Sequence, residues 1–171
     1  VLSLIDLVEA KEEETLEGME KEEHTHGEDE EEHEHEKDEH VWTSLKNAEK
    51  IVRAIADKLC SLDKINAEKY QKNAKAYIEK LSELEKQYAE TVKNAKRSTL
   101  VFADRFPFRY LADDYSLECF AAFSGCSAET QASFETIAFL SEKVKEKELP
   151  YVLVIDGSDG SVAETVAAQS G

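Results

Sequence analysis

The sequence predicts an α/β protein in which a long α-helix precedes strands and helices in alternation. After Arg97, short β-branched and aromatic runs alternate three times with helical patterns, which is typical of a parallel sheet with right-handed crossovers. Before that point, apolar residues recur at helical spacing over about 30 residues, which corresponds to a helix of about 45 Å. We therefore expect a βαβαβα parallel-sheet region that follows one long helix.

The first element is predicted to be a strand over Val1–Leu7, because this run is mostly apolar. The next segment, Glu9–Glu39, carries 17 acidic residues against three lysines, which gives −14 of the chain's net charge of −17. So few of its residues are apolar that burial cannot offset the entropy cost of ordering it. We expect a largely disordered acidic loop.

Two helices are predicted to follow. The first covers Ser44–Cys60, can be capped by Thr43 or Ser44, and has an apolar stripe of Leu45, Ala48, Val52, Ile55 and Leu59. The second begins near Asp63 and has a stripe of Tyr70, Ala74, Tyr77, Leu81, Leu84, Tyr88 and Val92. Because this stripe lacks sustained heptads, we expect the helix to span two domains rather than to form a coiled coil.

The remaining elements are predicted from the spacing of the apolar residues, which changes after Arg97. Residues Gly125–Thr130 link a strand to a helix, and Ser127 or Thr130 is predicted to cap that helix. The predicted strands are Thr99–Ala103, Glu118–Phe123 and Tyr151–Ile155, and the predicted helices are Phe108–Asp114, Thr130–Lys147 and a last one from Ser161 to Ala168.

Composition excludes several classes of protein. Cys60, Cys119 and Cys126 are odd in number and form no CxxC pair, so we expect neither a disulfide framework nor a cysteine zinc site. Cys60 and Cys119 are expected to be buried structural thiols. The acidic charge disfavours binding to nucleic acid and to anionic membrane surfaces. No apolar run approaches the roughly 20 residues of a membrane span.

The five histidines are the main indication of metal binding in the sequence. Four of them form two His-x-His pairs, His24 with His26 and His33 with His35, and the fifth, His40, ends the acidic segment. Imidazole suits zinc and other late first-row divalent ions, whereas carboxylates alone suit calcium or magnesium. The pairs therefore predict a weak, exchangeable zinc trap, with a solvated charge run as the alternative. His40 is predicted to be an ordered ligand, and the alternative is one more histidine at the end of a low-complexity run.

Asp104 and Asp156 each follow a predicted strand and are candidates for a functional site. Asp104 ends the first strand after the long helix, at the sheet edge where ligands bind in parallel α/β proteins, and it is a candidate metal ligand or an ion-pair partner of Arg105. Asp156–Gly160 resembles the strand-end turn of magnesium-dependent haloacid dehalogenase-type phosphatases. Those enzymes have Asp-x-Asp, whereas Asp156 and Asp159 are three apart, so we favour a glycine turn before a helix and predict no catalytic residues.

Several motifs together resemble one family. The acidic His-rich loop is followed by Asp38–Ala48 (DEHVWTSLKNA), Phe108–Ala112 (FRYLA), Asp114–Leu117 (DYSL) and Ser127–Ser133 (SAETQAS) in order. This order resembles the substrate-binding proteins of zinc and manganese ABC importers, the cluster A-I group of metal-binding lipoproteins and adhesins. The resemblance implies half of a two-lobed, periplasmic-binding-protein-like (chelatase-like) fold, with His40 as a metal ligand.

The chain departs from the family pattern at one ligand position. The family's third ligand, His or Glu, precedes the Phe-x-Tyr segment by three residues, where this chain has Arg105. Arginine does not bind zinc, so either Asp104 substitutes by a local shift or that ligand is lost. The resemblance places the other ligands outside this chain, and Leu45 stands where many relatives have proline.

The resemblance also divides the chain and implies its function. We expect residues 1–8 to end the N-terminal lobe, 9–40 to form the loop, 41–97 to hold the long interlobe helix, and 98–171 to form part of a C-terminal α/β lobe. The expected function is extracytoplasmic capture of Zn(II), or Mn(II), at the cell surface or in the periplasm, for delivery to an ABC permease. We expect a monomer, lipid-anchored in the full-length protein, that is not an enzyme and binds no nucleic acid. The alternative is a non-catalytic interaction or adhesion protein whose loop is a solvated spacer.

Overall fold

A computed structural model describes residues 1–13, 15–20, 37–127 and 131–171. Its contacts define two compact units, each discontinuous in sequence. The first unit comprises residues 1–11, 39–97 and 109–115, and the second comprises 12–38, 98–108 and 116–171. The division into lobes expected from the sequence stays a prediction.

The first unit is built on a helical hairpin. Helix α1 (Leu45–Leu62) and helix α2 (Ala67–Asn94) are joined by a short 3-10 turn, and a third helix, α3, covers Arg109–Asp114. The Ser44 hydroxyl accepts a hydrogen bond from the backbone N–H of Asn47 at 3.1 Å, which is a standard N-cap. Helix α2 has 28 residues, so it is about 42 Å long at 1.5 Å per residue. Both predicted helices are confirmed.

The buried strip of each helix differs from the predicted stripe. Helix α1 buries Asn47, Ile51 and Ala56, and α2 buries Ile78 and Leu81. Five residues of the predicted stripes are exposed, namely Ile55, Leu59, Tyr77, Leu84 and Tyr88. Apolar periodicity identifies a helix but does not say which side its neighbours cover, so these stripe residues lie at the surface.

The predicted N-terminal strand was wrong. Residues Ile5–Leu7 form a 3-10 turn, in which the N–H of Leu7 donates to the carbonyl of Leu4 at 3.2 Å. Apolar side chains of this segment (Ile5, Leu7 and Val8) pack against a buried cluster of Val41, Ile51 and Tyr110. The apolar side chains are thus partly buried by a turn rather than by a strand. The turn forms a local backbone hydrogen bond and needs no neighbouring strand.

The second unit contains a parallel sheet covered by helices. Strand β1 (Thr99–Phe106) pairs in parallel with β2 (Glu118–Ser124), with Thr99 opposite Glu118. The buried core combines both strands with helices α4 (Phe134–Glu146) and α5 (Ser161–Ser170), and consists of Val101, Ala103, Phe120, Ala122, Phe123, Leu140, Val144, Val162 and Val166. The predicted α/β class is confirmed.

Two local predictions for this unit need correction. The predicted strand Tyr151–Ile155 is reduced to one bridge, in which Leu153 donates to Val101 at 2.9 Å and accepts from Ala103 at 3.0 Å. Helix α4 is capped by Ser133, whose hydroxyl accepts from Thr136 at 3.1 Å. The predicted caps were Ser127, which instead lies buried in the turn after β2, and Thr130, which lies outside the described residues.

Described residues of the acidic segment between positions 12 and 20 belong to the second unit and pack within it, although the sequence predicts disorder. Met19 is only 7% exposed, the N–H of Glu20 donates to the carbonyl of Ala122 at 2.9 Å, and Glu12 forms an antiparallel bridge with Lys37. Residues 21–36, which include His24, His26, His33 and His35, lie outside the described residues. All three cysteines are free thiols; Cys60 and Cys119 are half-buried and Cys126 is exposed.

Candidate metal site

His40 lies in a tight turn directly before α1. Its carbonyl accepts hydrogen bonds from the N–H of Thr43 at 3.0 Å and from the Thr43 hydroxyl at 2.8 Å. The next residue, Val41, is 1% exposed and packs with Ile51 and Tyr110. The backbone of His40 is therefore held by the turn that follows it, while the residue stays half-exposed.

The imidazole contacts the indole of Trp42, the only tryptophan in the chain. The two ring centroids are 5.7 Å apart and the planes are tilted by 55°, which is a favourable aromatic arrangement. Trp42 is 55% exposed, so it covers one side of the imidazole without enclosing it. A side chain that is both oriented and accessible suits a metal ligand.

A second set of contacts fixes the start of α1 to α3. Ser44 is buried, and its hydroxyl donates to Asp114 Oδ2 at 2.6 Å. Lys46 Nζ lies 3.5 Å from Asp114 Oδ1. The Tyr110 hydroxyl accepts from the N–H of Lys11 at 2.9 Å. These bonds hold the turn that carries His40, so its position does not depend on one helix alone.

Asp104 lies in a β-bulge of β1, in the other unit. Phe102 pairs with Ala121 and Arg105 pairs with Phe123, so two residues of β1, Ala103 and Asp104, face one residue of β2. Bulges redirect side chains and are common beside functional sites. The carboxylate is buried, with Oδ1 accepting from the N–H of Arg105 at 2.8 Å and Oδ2 from that of Ile155 at 3.0 Å.

The Asp104 carboxyl is ionised at neutral pH. Burial by itself raises its pKa, but hydrogen bonds from the Ile155 and Arg105 backbone and from Ser158, together with the Arg105 charge, outweigh burial and hold the pKa below its usual value. Each carboxylate oxygen has two lone pairs. The two backbone bonds therefore leave capacity for a further donor or a cation.

A cavity of about 200 Å³ adjoins Asp104, at the edge where the carboxyl ends of the strands meet. Its walls include Asp104, Arg105, Phe123, Ser158 and Asp159. Arg105 Nε lies 3.7 Å from Asp104 Oδ1, so the guanidinium already neutralises part of the negative charge that would attract a cation.

The Asp156–Gly160 segment forms a turn that leads into α5. The N–H of Ser158 donates to the carbonyl of Ile155 at 3.1 Å, and Asp156 itself is exposed. Asp159 Oδ1 accepts from the N–H and the hydroxyl of Ser161, both at 2.9 Å, and these bonds lower the pKa of Asp159. This geometry agrees with the predicted turn before a helix.

The structure thus describes two of the six predicted ligands, and each within its own unit: His40 in the first and Asp104 in the second. Among the described residues, no three His, Cys, Asp or Glu side chains converge on a point that could hold a metal ion. The sequence did not predict the β-bulge at Asp104 or the cavity beside it. A bulge leaves no local sequence signal unless a glycine marks it. Among the residues that the structure describes, no helix is both long enough and apolar enough to cross a bilayer.

Comparison with known proteins gives consistent matches. The family model described as "ZnuA: Zinc-uptake complex component A periplasmic" matches residues 3–171. The chain is 37% identical over 132 residues to the zinc-binding lipoprotein AdcA of Streptococcus pneumoniae, covering 77% of this chain and 26% of that protein. It is 36% identical over 132 residues to the high-affinity zinc uptake system protein ZnuA of Bacillus subtilis, covering 77% and 41%.

A solved structure agrees with the sequence matches. The Zn(II)-bound ZnuA-like domain of Streptococcus pneumoniae AdcA is similar with a TM-score of 0.64 and 36% identity, over 79% of this chain and 50% of that chain. The chain therefore spans about half of the solved domain that it matches and less than half of the curated relatives.

Proposed function

Since the chain belongs to the ZnuA family of zinc-uptake components, we propose that it forms part of an extracytoplasmic substrate-binding protein for an ABC importer. Its substrate in this proposal is Zn(II), with Mn(II) as the alternative. The similarity to proteins named for zinc binding and zinc uptake supports this substrate. The protein binds and releases the ion and performs no chemistry on it.

His40 is the observation that carries the proposal. The fixed turn at residues 40–43 presents an imidazole at the start of α1, and the resemblance described above assigns a metal ligand to this position. Imidazole nitrogen is a common zinc ligand. The indole of Trp42 contacts this imidazole, with 5.7 Å between the ring centroids.

Asp104 is proposed as a second ligand. Its low pKa keeps the carboxylate charged, and it adjoins a cavity at the carboxyl edge of the sheet. Arg105, at the position that the resemblance assigns to a third ligand, opposes cation binding by its charge. We therefore expect weaker zinc binding than a site with histidine or glutamate at position 105 would give.

The histidines of the acidic segment (His24, His26, His33 and His35) are proposed to form a separate, weaker binding region. They lie outside the described residues, so this proposal rests on their spacing and on the surrounding negative charge. In this role they raise the local zinc concentration or sense saturation. The proposed partner of the whole protein is a membrane permease, and the proposed state is a lipid-anchored monomer.

Metal analysis after equilibrium dialysis tests the proposal. The chain is dialysed against Zn(II), Mn(II) or Mg(II), and the bound metal is measured by elemental analysis. We expect zinc to be retained and magnesium not, because imidazole favours zinc. Equal retention of zinc and magnesium would contradict the proposal, since carboxylates alone would then account for binding.

A further inference from the structure

Residues Leu16–Glu20, here called the strap, pack against the rest of the second unit, to which they belong, although they lie within the most acidic part of the chain. The strap contains its own turn, in which the N–H of Met19 donates to the carbonyl of Leu16 at 3.2 Å. The Met19 side chain is 7% exposed, and its sulfur accepts from the N–H of Leu16 at 3.2 Å. The strap thus buries an apolar side chain from a segment that otherwise has few.

Gly18 makes a contact that only glycine allows. Its φ of +83° lies in the left-handed region, and a Cβ at this position would overlap the ring of Phe139. Its carbonyl accepts from the hydroxyl of Thr136 at 2.9 Å. Thr136 lies in the first turn of α4 and is buried. The backbone of the strap therefore packs directly on α4.

Glu20 connects the strap to both the sheet and the helix. Its N–H donates to the carbonyl of Ala122 at 2.9 Å, and β2 is an edge strand of the described sheet. Its carboxylate accepts from the N–H of Ser133, the N-cap residue of α4. Burial by itself raises the pKa of Glu20, but the bonds from Ser133 and Thr136 outweigh it and lower the pKa.

These contacts match the ways in which folded domains bind extended peptides: hydrogen bonding to a sheet edge, a buried apolar side chain, and a carboxylate at a helix N-terminus. We propose that the edge of β2 and the start of α4 form a peptide-docking surface occupied by the chain's own strap, and that the strap releases as one unit while the core stays folded.

The bound strap also covers the edge of β2 and the start of α4. An unpaired edge strand can pair with another chain, and the first N–H groups of a helix need acceptors. The strap supplies an N–H donor to the edge of β2 and a carboxylate acceptor to the start of α4.

Hydrogen exchange followed by mass spectrometry tests the inference on the full chain. We compare peptides covering residues 15–20 and 133–137 with peptides from β1 and α5, in the wild type and in Gly18→Ala. The matched control is Gly157→Ala, because Gly157 also has a positive φ of +91° but has no atom within 4 Å of an added Cβ. Glu20→Gln is a milder variant that keeps the shape and removes the charge.

We expect Gly18→Ala to speed exchange at residues 15–20 and 133–137 by at least about tenfold, since several hydrogen bonds are lost together. We expect a smaller increase at the same residues for Glu20→Gln and none for Gly157→Ala. Exchange in β1 and α5 should not change. The inference is overturned if the strap is unprotected in the wild type, or if exchange in β1 and α5 rises as much as exchange in the strap.

Discussion

Replacing Asp104 with asparagine tests the account of the second unit. The carboxylate accepts one backbone hydrogen bond on each oxygen, from Arg105 at 2.8 Å and from Ile155 at 3.0 Å. An asparagine amide has one oxygen, so its NH₂ group must face one of these N–H donors. A hydrogen bond to a charged group contributes about 1.5–3 kcal/mol, and the abandoned donor is partly buried. We expect Asp104→Asn to lower the free energy of unfolding by about 2–3 kcal/mol.

Urea unfolding at several pH values measures this loss, with Asp159→Asn as the control. Asp159 accepts hydrogen bonds from Ser161 but is exposed, so its replacement should cost less. Because the pKa of Asp104 is lower in the folded protein than in the unfolded chain, the stabilisation that the ionised carboxylate provides depends on pH. It is present above the pKa of the unfolded state and is lost as the pH falls through the pKa of the folded state. The difference between wild type and Asp104→Asn should therefore shrink in acid. A loss below about 0.5 kcal/mol at neutral pH would refute the reasoning.

Three further predictions concern the proposed sites. Arg105→His should strengthen zinc binding measured by isothermal titration, because it removes a positive charge and adds an imidazole, while Arg53→His should not; equal effects would contradict a role for position 105. Deleting residues 21–36 should lower the number of zinc ions bound and leave the tightest step unchanged, and loss of that step would place it in the deleted segment. Ser44→Ala should lower the free energy of unfolding by about 1–2 kcal/mol, since it removes an N-cap and the bond to Asp114; thermal unfolding measures it, and an unchanged stability would contradict the capping role.

Local signals in the sequence predicted much of the fold. Ser44 marks the start of α1 because a hydroxyl before an apolar pattern satisfies a free helix N–H, and the structure confirms this cap. The strands β1 and β2 were predicted from β-branched and aromatic runs, and both exist. The ligand role of His40 was predicted from the chemistry of imidazole and from its position before the helix, and it stays a prediction.

The errors share a physical cause, which is that neighbours distant in sequence decide the outcome. The run Val1–Leu7 is apolar enough for a strand, but its partners Val41 and Ile51 are reached through a turn. Met19 lies in an acidic segment but is buried, because it packs against residues of the second unit that are distant in sequence. Likewise, the fit of Gly18 against Phe139 joins residues far apart along the chain, and no local pattern predicts it.

A zinc titration monitored by the fluorescence of Trp42 tests the central claim most directly. The indole lies beside His40, with 5.7 Å between ring centroids, and no other tryptophan contributes to the signal. We predict that the tightest zinc-binding step changes the emission in the wild type. In His40→Ala, that change should disappear and the step should weaken more than about tenfold, equivalent to about 1.4 kcal/mol. Zinc binding of unchanged affinity in His40→Ala would contradict the proposal that this histidine holds the metal.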